Sequence, residues 1–483
     1  MTVATVAPRT QAATPTRPEQ APPEALTPGE RLAALCDPGS FRAIRSGVVS
    51  HRAGDRARPG DGVLAGAGTV DGRPVFCYAQ DPSFMGGSLG EAHAESIVRV
   101  MSLAGQAGAP VVGFVESGGA RLQEGHAALS GYGRIFRASV ELSKLVPQIT
   151  VVTGVSAGGG AYSPALTDFV LMTDRARMFL TGPKVVRQAL GEEVTMDELG
   201  GTRVHERNGV CQLTAGSDIE ATELARDLLA HLPDALGERP PVAAPARPGG
   251  AAPDATVPAA ARRVYDVRDV ARSILDAGHL LEASPRWAPN MVTGFGRIEG
   301  RPVGVIANQP RRLGGVIDSV ASEKAALFVN ACNRFRLPLV VLVDTPGFMP
   351  GTRQEGLGVI RHGASLLRAF AGADVPKVTV VLRKAYGGAV ITMNSKDLGA
   401  DMVFAWPGAE IGIMAANQAV GIVNRRQIAD ADGDEGLRQA LAAAYADEHL
   451  NADAAAASGF VDEVIEPAET RDRLAWALHT LER

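Results

Sequence analysis

Two glycine-rich stretches are placed where the backbone itself could do chemistry. Ser156-Ala-Gly-Gly-Gly-Ala-Tyr-Ser-Pro and Lys384-Ala-Tyr-Gly-Gly-Ala-Val-Ile each follow a buried-type run of β-branched residues and precede a segment of helical character. Glycines at a strand-to-helix junction let the chain turn sharply, and they leave successive N–H groups of the helix start without an intrahelical acceptor. Two such donors aimed at one point stabilise a developing oxyanion, at about 3 to 4 kcal/mol per donor in other enzymes. Loops of this shape can also hold phosphate. Neither carries the GK[ST] ending of a P-loop, so a nucleoside triphosphate is not the expected ligand. The candidate catalytic groups are the amides of Gly158, Gly159 and Gly160 and of Gly387, Gly388 and Ala389.

A second chemistry competes for the first stretch. Gly154-Val-Ser156-Ala-Gly158 matches G-x-S-x-G, the nucleophile elbow of serine hydrolases. His205, His279 and His362 are downstream candidates for its base. The second stretch, however, has Ala385 where the first has Ser156 and keeps the glycines. What recurs is the backbone donor, which makes hydrolysis through Ser156 the weaker alternative.

The elements that must hold these stretches form two copies of one unit. GAGTVDGRPV ending at Val75 pairs with GFGRIEGRPV ending at Val303, an offset of 228. The same offset carries Gly86-Gly87 onto Gly314-Gly315 and residues 109–119 onto 337–347. A one-residue slip then aligns TVVTGVSAGGGA (150–161) with TVVLRKAYGGAV (379–390). Each copy reads as a hairpin with a DG or EG turn, a helix (Ala92–Ala107; Ser322–Arg334), a strand ending in small residues, a second helix, and a second strand running into the glycines. Alternation of this kind predicts an α/β fold with largely parallel sheets and sites at the carboxyl ends of the strands. Residues 1–28, rich in Pro, Ala and Thr, read as a flexible tail, and 232–261 as a low-complexity linker between units 29–231 and 262–483.

Composition sets the outer bounds. With 483 residues, 46% hydrophobic and 21% charged, the chain can bury a large core and is neither disordered nor fibrous. Lys+Arg 48 against Asp+Glu 53 lacks the basic excess of a dedicated nucleic-acid binder. No apolar run approaches the ~18 residues of a membrane span and the start has no apolar signal-peptide core, which points to a cytoplasmic protein. Cys36, Cys77, Cys211 and Cys332 are too scattered for a disulfide framework or a CxxC zinc site and read as buried thiols.

The motifs GGSLGEAH, ESGGARLQEG, AGGGAYSPALTD, GEEVTMDELGG, GFGRIEGRPVGVIANQP, VDTPGFMPGTRQE, IRHGA, RKAYGGA and WPGAEIGIM, in this order from about Gly29 to the end, resemble the β subunit of biotin-dependent acyl-CoA carboxylases. The resemblance implies two tandem crotonase-like domains and a homo-oligomer, commonly a hexamer, in which the N-terminal half of one copy faces the C-terminal half of another. It implies that the N-terminal half holds acyl-CoA, that the C-terminal half receives carboxybiotin, and that a biotin carboxylase and a biotinylated carrier are separate partners. No metal is implied. Transfer of CO2 from a ureido nitrogen to the α-carbon of a thioester develops negative charge on two oxygens, and a duplicated glycine stretch offers two holes. Gly118, Gly119, Ala120, Arg121 and Tyr162, with Val390 and Ile391, are then the candidate substrate contacts. Arg121 with Glu124 could equally form a local ion pair that caps a helix.

By the same resemblance, the residue two past the second hole lies beside the acyl chain, where propionyl-favouring members often carry Asp; Ile391 implies a broader or longer acyl preference. Departures are Ser96 in place of a frequent Lys and Gly356 in place of a frequent Tyr. A decarboxylase subunit running the transfer in reverse and a noncatalytic scaffold remain open; broken glycine stretches would mark the scaffold, and these are intact.

Overall fold

The computed structural model describes residues 25–258, 260 and 263–481. Most of the expected N-terminal tail lies outside them. Its last residues are ordered: Thr27 and Glu30 form a reciprocal cap on the helix Pro28–Leu35.

The N-terminal half is built on a sheet whose strands are β1 (Arg42–Ile44), β2 (Val63–Val70), β3 (Arg73–Gln80), β4 (Val111–Ser117), β5 (Gln148–Ala157), β6 (Phe169–Thr173), β7 (Arg177–Phe179) and β8 (Leu213–Ala215). They lie in the order β1-β2-β3-β4-β5-β6-β8, with β7 on the far end of β5. The hairpin β2–β3 is antiparallel, and from β3 onward every pairing is parallel. The C-terminal half repeats this with β9 (Leu281–Glu282), β10 (Met291–Ile298), β11 (Arg301–Asn308), β12 (Leu339–Thr345), β13 (Lys377–Tyr386), β14 (Met402–Ala405), β15 (Glu410–Gly412) and β16 (Glu463–Val464), in the order β9-β10-β11-β12-β13-β14-β16 with β15 on β13.

The duplication holds to the residue. Phe76 faces Val111 and Gly304 faces Leu339, each number shifted by 228. Val111 faces Gln148 and Leu339 faces Lys377, where the slip to 229 has entered. Both β4–β5 and β12–β13 break register just before the site, so that Ser117 faces Ser156 and Thr345 faces Ala385. The slip therefore falls in the helical connection, His126–Leu142 against the shorter Val359–Ala371. The expected helices begin slightly earlier than the periodicity indicates, at Glu91 and Ser319.

Helices cover both faces of each sheet, as parallel strands buried on two sides require. The helices Glu91–Ala107 and His126–Leu142 bury Ile97, Val100, Met101, Ile135 and Leu142 against one face of the first sheet. The helices Pro28–Leu35 and Asp218–His231 cover the other. Their core continues across the seam between the halves, where Phe169 packs on Phe295 and Phe335 and Arg334 pairs with Asp168. Also near this seam, the buried Lys324 donates to the carbonyls of Ser284, Trp287 and Met291 at 2.8, 3.0 and 2.7 Å. The proline-rich stretch after Leu232 runs along the C-terminal half: Ala243 N–H donates to Gly300, Arg297 donates to the Pro241 carbonyl, and Ala277 N–H donates to Arg247.

Candidate active site

Each glycine stretch is a turn at the carboxyl end of a central parallel strand, with a short helix starting at once: Gly159–Ala165 after β5 and Gly388–Thr392 after β13. The turning residues are Gly158 (φ 58, ψ −124) and Gly387 (φ 63, ψ −147), a conformation that only glycine adopts without strain. Their own N–H groups are engaged, Gly158 with Phe179 O at 3.1 Å and Gly387 with Gly412 O at 2.9 Å. This corrects the expectation that all three amides of each stretch act as donors. Gly158 and Gly387 make the bend. Among the described residues, the N–H groups of Gly159, Gly160, Gly388 and Ala389 have no acceptor, and the helices close behind them through Ala161→Gly158 and Val390→Gly387. Two free adjacent amides at the same place in each half are the donor pair that an oxyanion needs.

A neighbouring ledge completes each turn. Gly118 N–H donates to Gly86 O, Gly119 N–H to Ser117 Oγ, and Leu89 N–H to Gly119 O; Ala120 bridges to Leu89. A Cβ on Gly119 would stand 3.4 Å from Ala157 O, so this ledge lies against the end of β5. Its counterpart joins Ile317 N–H to Gly347 O and Met349 N–H to Ile317 O. The paired glycines upstream are there for close approach: a Cβ on Gly87 would sit 2.2 Å from Glu116 O, and one on Gly315 would sit 2.3 Å from Asp344 O.

Arg121 is engaged within the protein. It is completely buried, pairs through Nη1 with Asp61 and Glu124 at 2.7 Å each, and donates through Nη2 to Ser88 O at 3.0 Å. Glu124 in turn accepts the Glu91 N–H at 2.7 Å and so caps the helix Glu91–Ala107. Burial opposes the Glu124 charge, but the Glu91 amide, Arg121 and Ser50 hold its carboxyl below the ordinary value. Of the two roles open from sequence, the capping ion pair is the one the structure contains.

Ser156 is not a nucleophile either. Its buried hydroxyl donates to Gly160 O at 2.8 Å, and His205, the first candidate base, is held by Met178 O and Asn208. His279 faces Asp227 and His362 lies beside Glu323. The hydrolase alternative therefore lacks its dyad.

Other expected contacts stay at the turns. Tyr162 is exposed on the helix after the first turn and, with Phe136, Val140 and Leu166, lines an apolar groove of about 640 Å³. Val390 packs partly on the core, and Ile391 is 50% exposed beside the second turn. Where Ser96 replaces a frequent Lys, Arg45 Nε donates to its Oγ at 3.2 Å, which leaves a cation at that position.

Residue types alone did not disclose the layer behind the turns. Tyr132 lies directly under Gly159, whose Cβ would meet its ring at 2.7 Å, and its hydroxyl is 3.2 Å from Ser117 Oγ. An acid precedes each ledge, partly buried in the first half and fully buried in the second. Glu116 pairs with Arg31 at 3.0 Å, and its carboxylate fills the space left open by Gly154. Asp344 meets Arg383 at 3.2 Å, Lys384 at 3.3 Å and the Tyr265 hydroxyl at 2.8 Å. Glu116 and Asp344 share the offset of 228, so the duplication was the signal that could have found them.

Tandem crotonase-like folds with a duplicated pair of free amides define a class of enzyme that handles two developing oxyanions, the carboxyltransferases. Residues 19–483 match the carboxyl transferase domain family. The chain is 47% identical over 461 residues to the methylmalonyl-CoA carboxyltransferase 12S subunit of Propionibacterium freudenreichii subsp. shermanii, covering 94% of this chain and 88% of the relative. It is 47% identical to the propionyl-CoA carboxylase beta chain of Saccharopolyspora erythraea, covering 94% and 87%. A crystal structure of transcarboxylase 12S, described as a hexamer with methylmalonyl-coenzyme A and methylmalonic acid bound, superimposes with a TM-score of 0.90 at 46% identity, covering 94% and 89%. The chain belongs to this family, the carboxyltransferase subunits of acyl-CoA carboxylases.

Proposed function

We propose that the chain takes CO2 from carboxybiotin on a separate carrier protein and places it on the α-carbon of an acyl-CoA. The observation that supports this most is the pair of equivalent turns, each with two free amides at the carboxyl end of a central strand. Carboxybiotin supplies the CO2 and, once relieved of it, a ureido nitrogen basic enough to take the α-proton. The second turn fits a ureido oxygen: Gly388 and Ala389 donate, and the Phe348 ring stands 4.0 Å from the Cβ position of Gly388. Gly159 and Gly160 donate to the thioester oxygen as charge grows there. Neither job needs a protein side chain as base, which agrees with Ser156, His205 and His362 being occupied elsewhere.

The reverse transfer, from a carboxylated acyl-CoA to biotin, uses the same amides. In either direction the working site takes one turn from each of two copies in a homo-oligomer, a hexamer as in the transcarboxylase relative. A biotin carboxylase and a biotin carrier are the required partners, because ATP-dependent fixation of bicarbonate has no counterpart among the motifs of this chain.

The test is carboxyl transfer to acetyl-, propionyl-, butyryl- and longer acyl-CoA with a biotin carboxylase and biotinylated carrier present. Transfer should require both partners. Half-exposed Ile391 offers dispersion contacts only, worth about 1 to 3 kcal/mol per methylene. The wild type should therefore accept several chain lengths, and Ile391→Asp should reorder them. No transfer to any acyl-CoA with active partners would overturn the function; an unchanged ranking would remove Ile391 from the acyl pocket.

A further inference from the structure

We propose that Asp227, His231 and His279 form a site for a divalent transition-metal ion of the zinc class, bridging the two halves of the chain. Asp227 and His231 stand four residues apart in the helix Asp218–His231 and so share one face. His279 comes from the other half, in the turn that leads into β9. One ligand atom from each residue lies within 4.8 Å of the others. His279 Nε2 is 2.9 Å from Asp227 Oδ2, and His231 Nδ1 is 3.6 Å from Asp227 Oδ1. The two imidazole rings lie with centroids 6.0 Å apart, tilted by 25°. Two imidazoles and one carboxylate are a zinc-class donor set, and three protein ligands leave a fourth position for water.

The state of His231 is a separate observation. Its side chain is buried and Nε2 has no partner among the described residues, whereas Nδ1 contacts Asp227 O at 2.8 Å. Buried ring nitrogens without a partner are uncommon and costly. The Asp227 carbonyl can only accept, so the ring proton sits on Nδ1; an ion at Nδ1 displaces that proton, and the partnerless Nε2 can carry the ring proton in its place. The neighbouring cation does not close the site: Arg297 is directed to the carbonyls of Pro241, Gly300 and Ala230. His279 is exposed, which gives the ion a path in.

A metal here would tie the helix Asp218–His231 of one half to the turn before β9 of the other, independently of the glycine turns. The experiment uses the full, tag-free chain stripped with a chelator. Titration with Zn2+ should show one equivalent bound per chain, and Co2+ should give a visible ligand-field band. Zn2+ should raise the melting temperature by several degrees. His279→Ala and Asp227→Asn, which fold as the wild type does by circular dichroism, should each weaken binding at least tenfold and lose the melting shift. Absence of saturable one-equivalent binding in the wild type, or weakening of less than tenfold in both variants, overturns the site and leaves an ion pair between Asp227 and His279.

Discussion

Single residues in the site divide into those that turn the chain, those that donate and those that hold the turn from behind. Arg121 belongs to the last group. Removing one member of a buried charge cluster leaves the others uncompensated, a cost of about 3 to 5 kcal/mol. Arg121→Met should therefore lower stability by about that amount in chemical denaturation, while the folded fraction keeps its KM for acyl-CoA. A raised KM with unchanged stability would return Arg121 to the substrate side. Gly159 and Gly388 are equivalent by sequence and differ in surroundings. A Cβ on Gly159 would collide with the Tyr132 ring at 2.7 to 2.8 Å, whereas one on Gly388 meets nothing closer than Phe348 at 4.0 Å. Gly159→Ala should cost about 1 to 3 kcal/mol through overpacking. Gly388→Ala should leave the melting temperature unchanged or slightly raised, since alanine favours a helix start over glycine. Both keep their N–H groups, so Gly388→Ala should retain transfer in the coupled assay.

Glycine pairs, their spacing and the recurrence of the donor were legible in the sequence because they are local facts of one turn. Which amides remain free was not. Gly158 and Gly387 lose theirs to Phe179 and Gly412, residues contributed by β7 and β15, and pairing with a short strand elsewhere leaves no mark in the turn itself. The role of Arg121 was undecidable for the same reason, because its partner Asp61 is 60 residues upstream.

At the scale of elements, the offset of 228 foretold the paired registers of β3–β4 and β11–β12, and the one-residue slip fell in the connection between strands rather than in a strand. A slip inside a strand would have exchanged its faces. Behind the first turn, the helix Glu91–Ala107 carries His93, whose ring nitrogen accepts from the Gln80 side chain while the Gln80 carbonyl holds the Glu116 N–H. Burial, followed by the nearby Arg121 charge, pulls the His93 pKa from 6.5 down to about 3. The folded state therefore keeps His93 neutral where the unfolded chain binds a proton. Its contribution to stability is complete above pH 6.5 and is lost progressively as the pH falls from 6.5 toward about 3. At pH 5 the loss from this group is about 2 kcal/mol. Chemical denaturation at pH 7.5 and pH 5 should show His93→Gln losing less stability between the two than the wild type; equal losses would mean that His93 is not neutral in the fold.

Over the whole molecule, several large apolar side chains are exposed in each half. Ile413, Ile422 and Val423 are 76%, 66% and 72% exposed in the C-terminal half, and Leu122 and Leu190 are 89% and 74% exposed in the N-terminal half. Ile413 O stands 3.3 Å from the Cβ position of Gly387, which places Ile413 at the rim of the second turn. Apolar surface collected at a site of this kind marks an interface, and a composite site requires that interface to lie beside the turns. Ile422 is on the short helix Ala416–Val423, exposed and remote from the core, so a charge there should cost the protomer little. In a buried contact between copies the same charge would be unpaired and strongly unfavourable. Ile422→Asp should therefore convert the assembly to smaller species in sedimentation velocity while the circular dichroism spectrum stays that of the wild type. If the proposed site takes one turn from each of two copies, carboxyl transfer should fall in step with the loss of the large species. Dissociated protomers that transfer at the wild-type rate would show that each chain carries a complete site of its own.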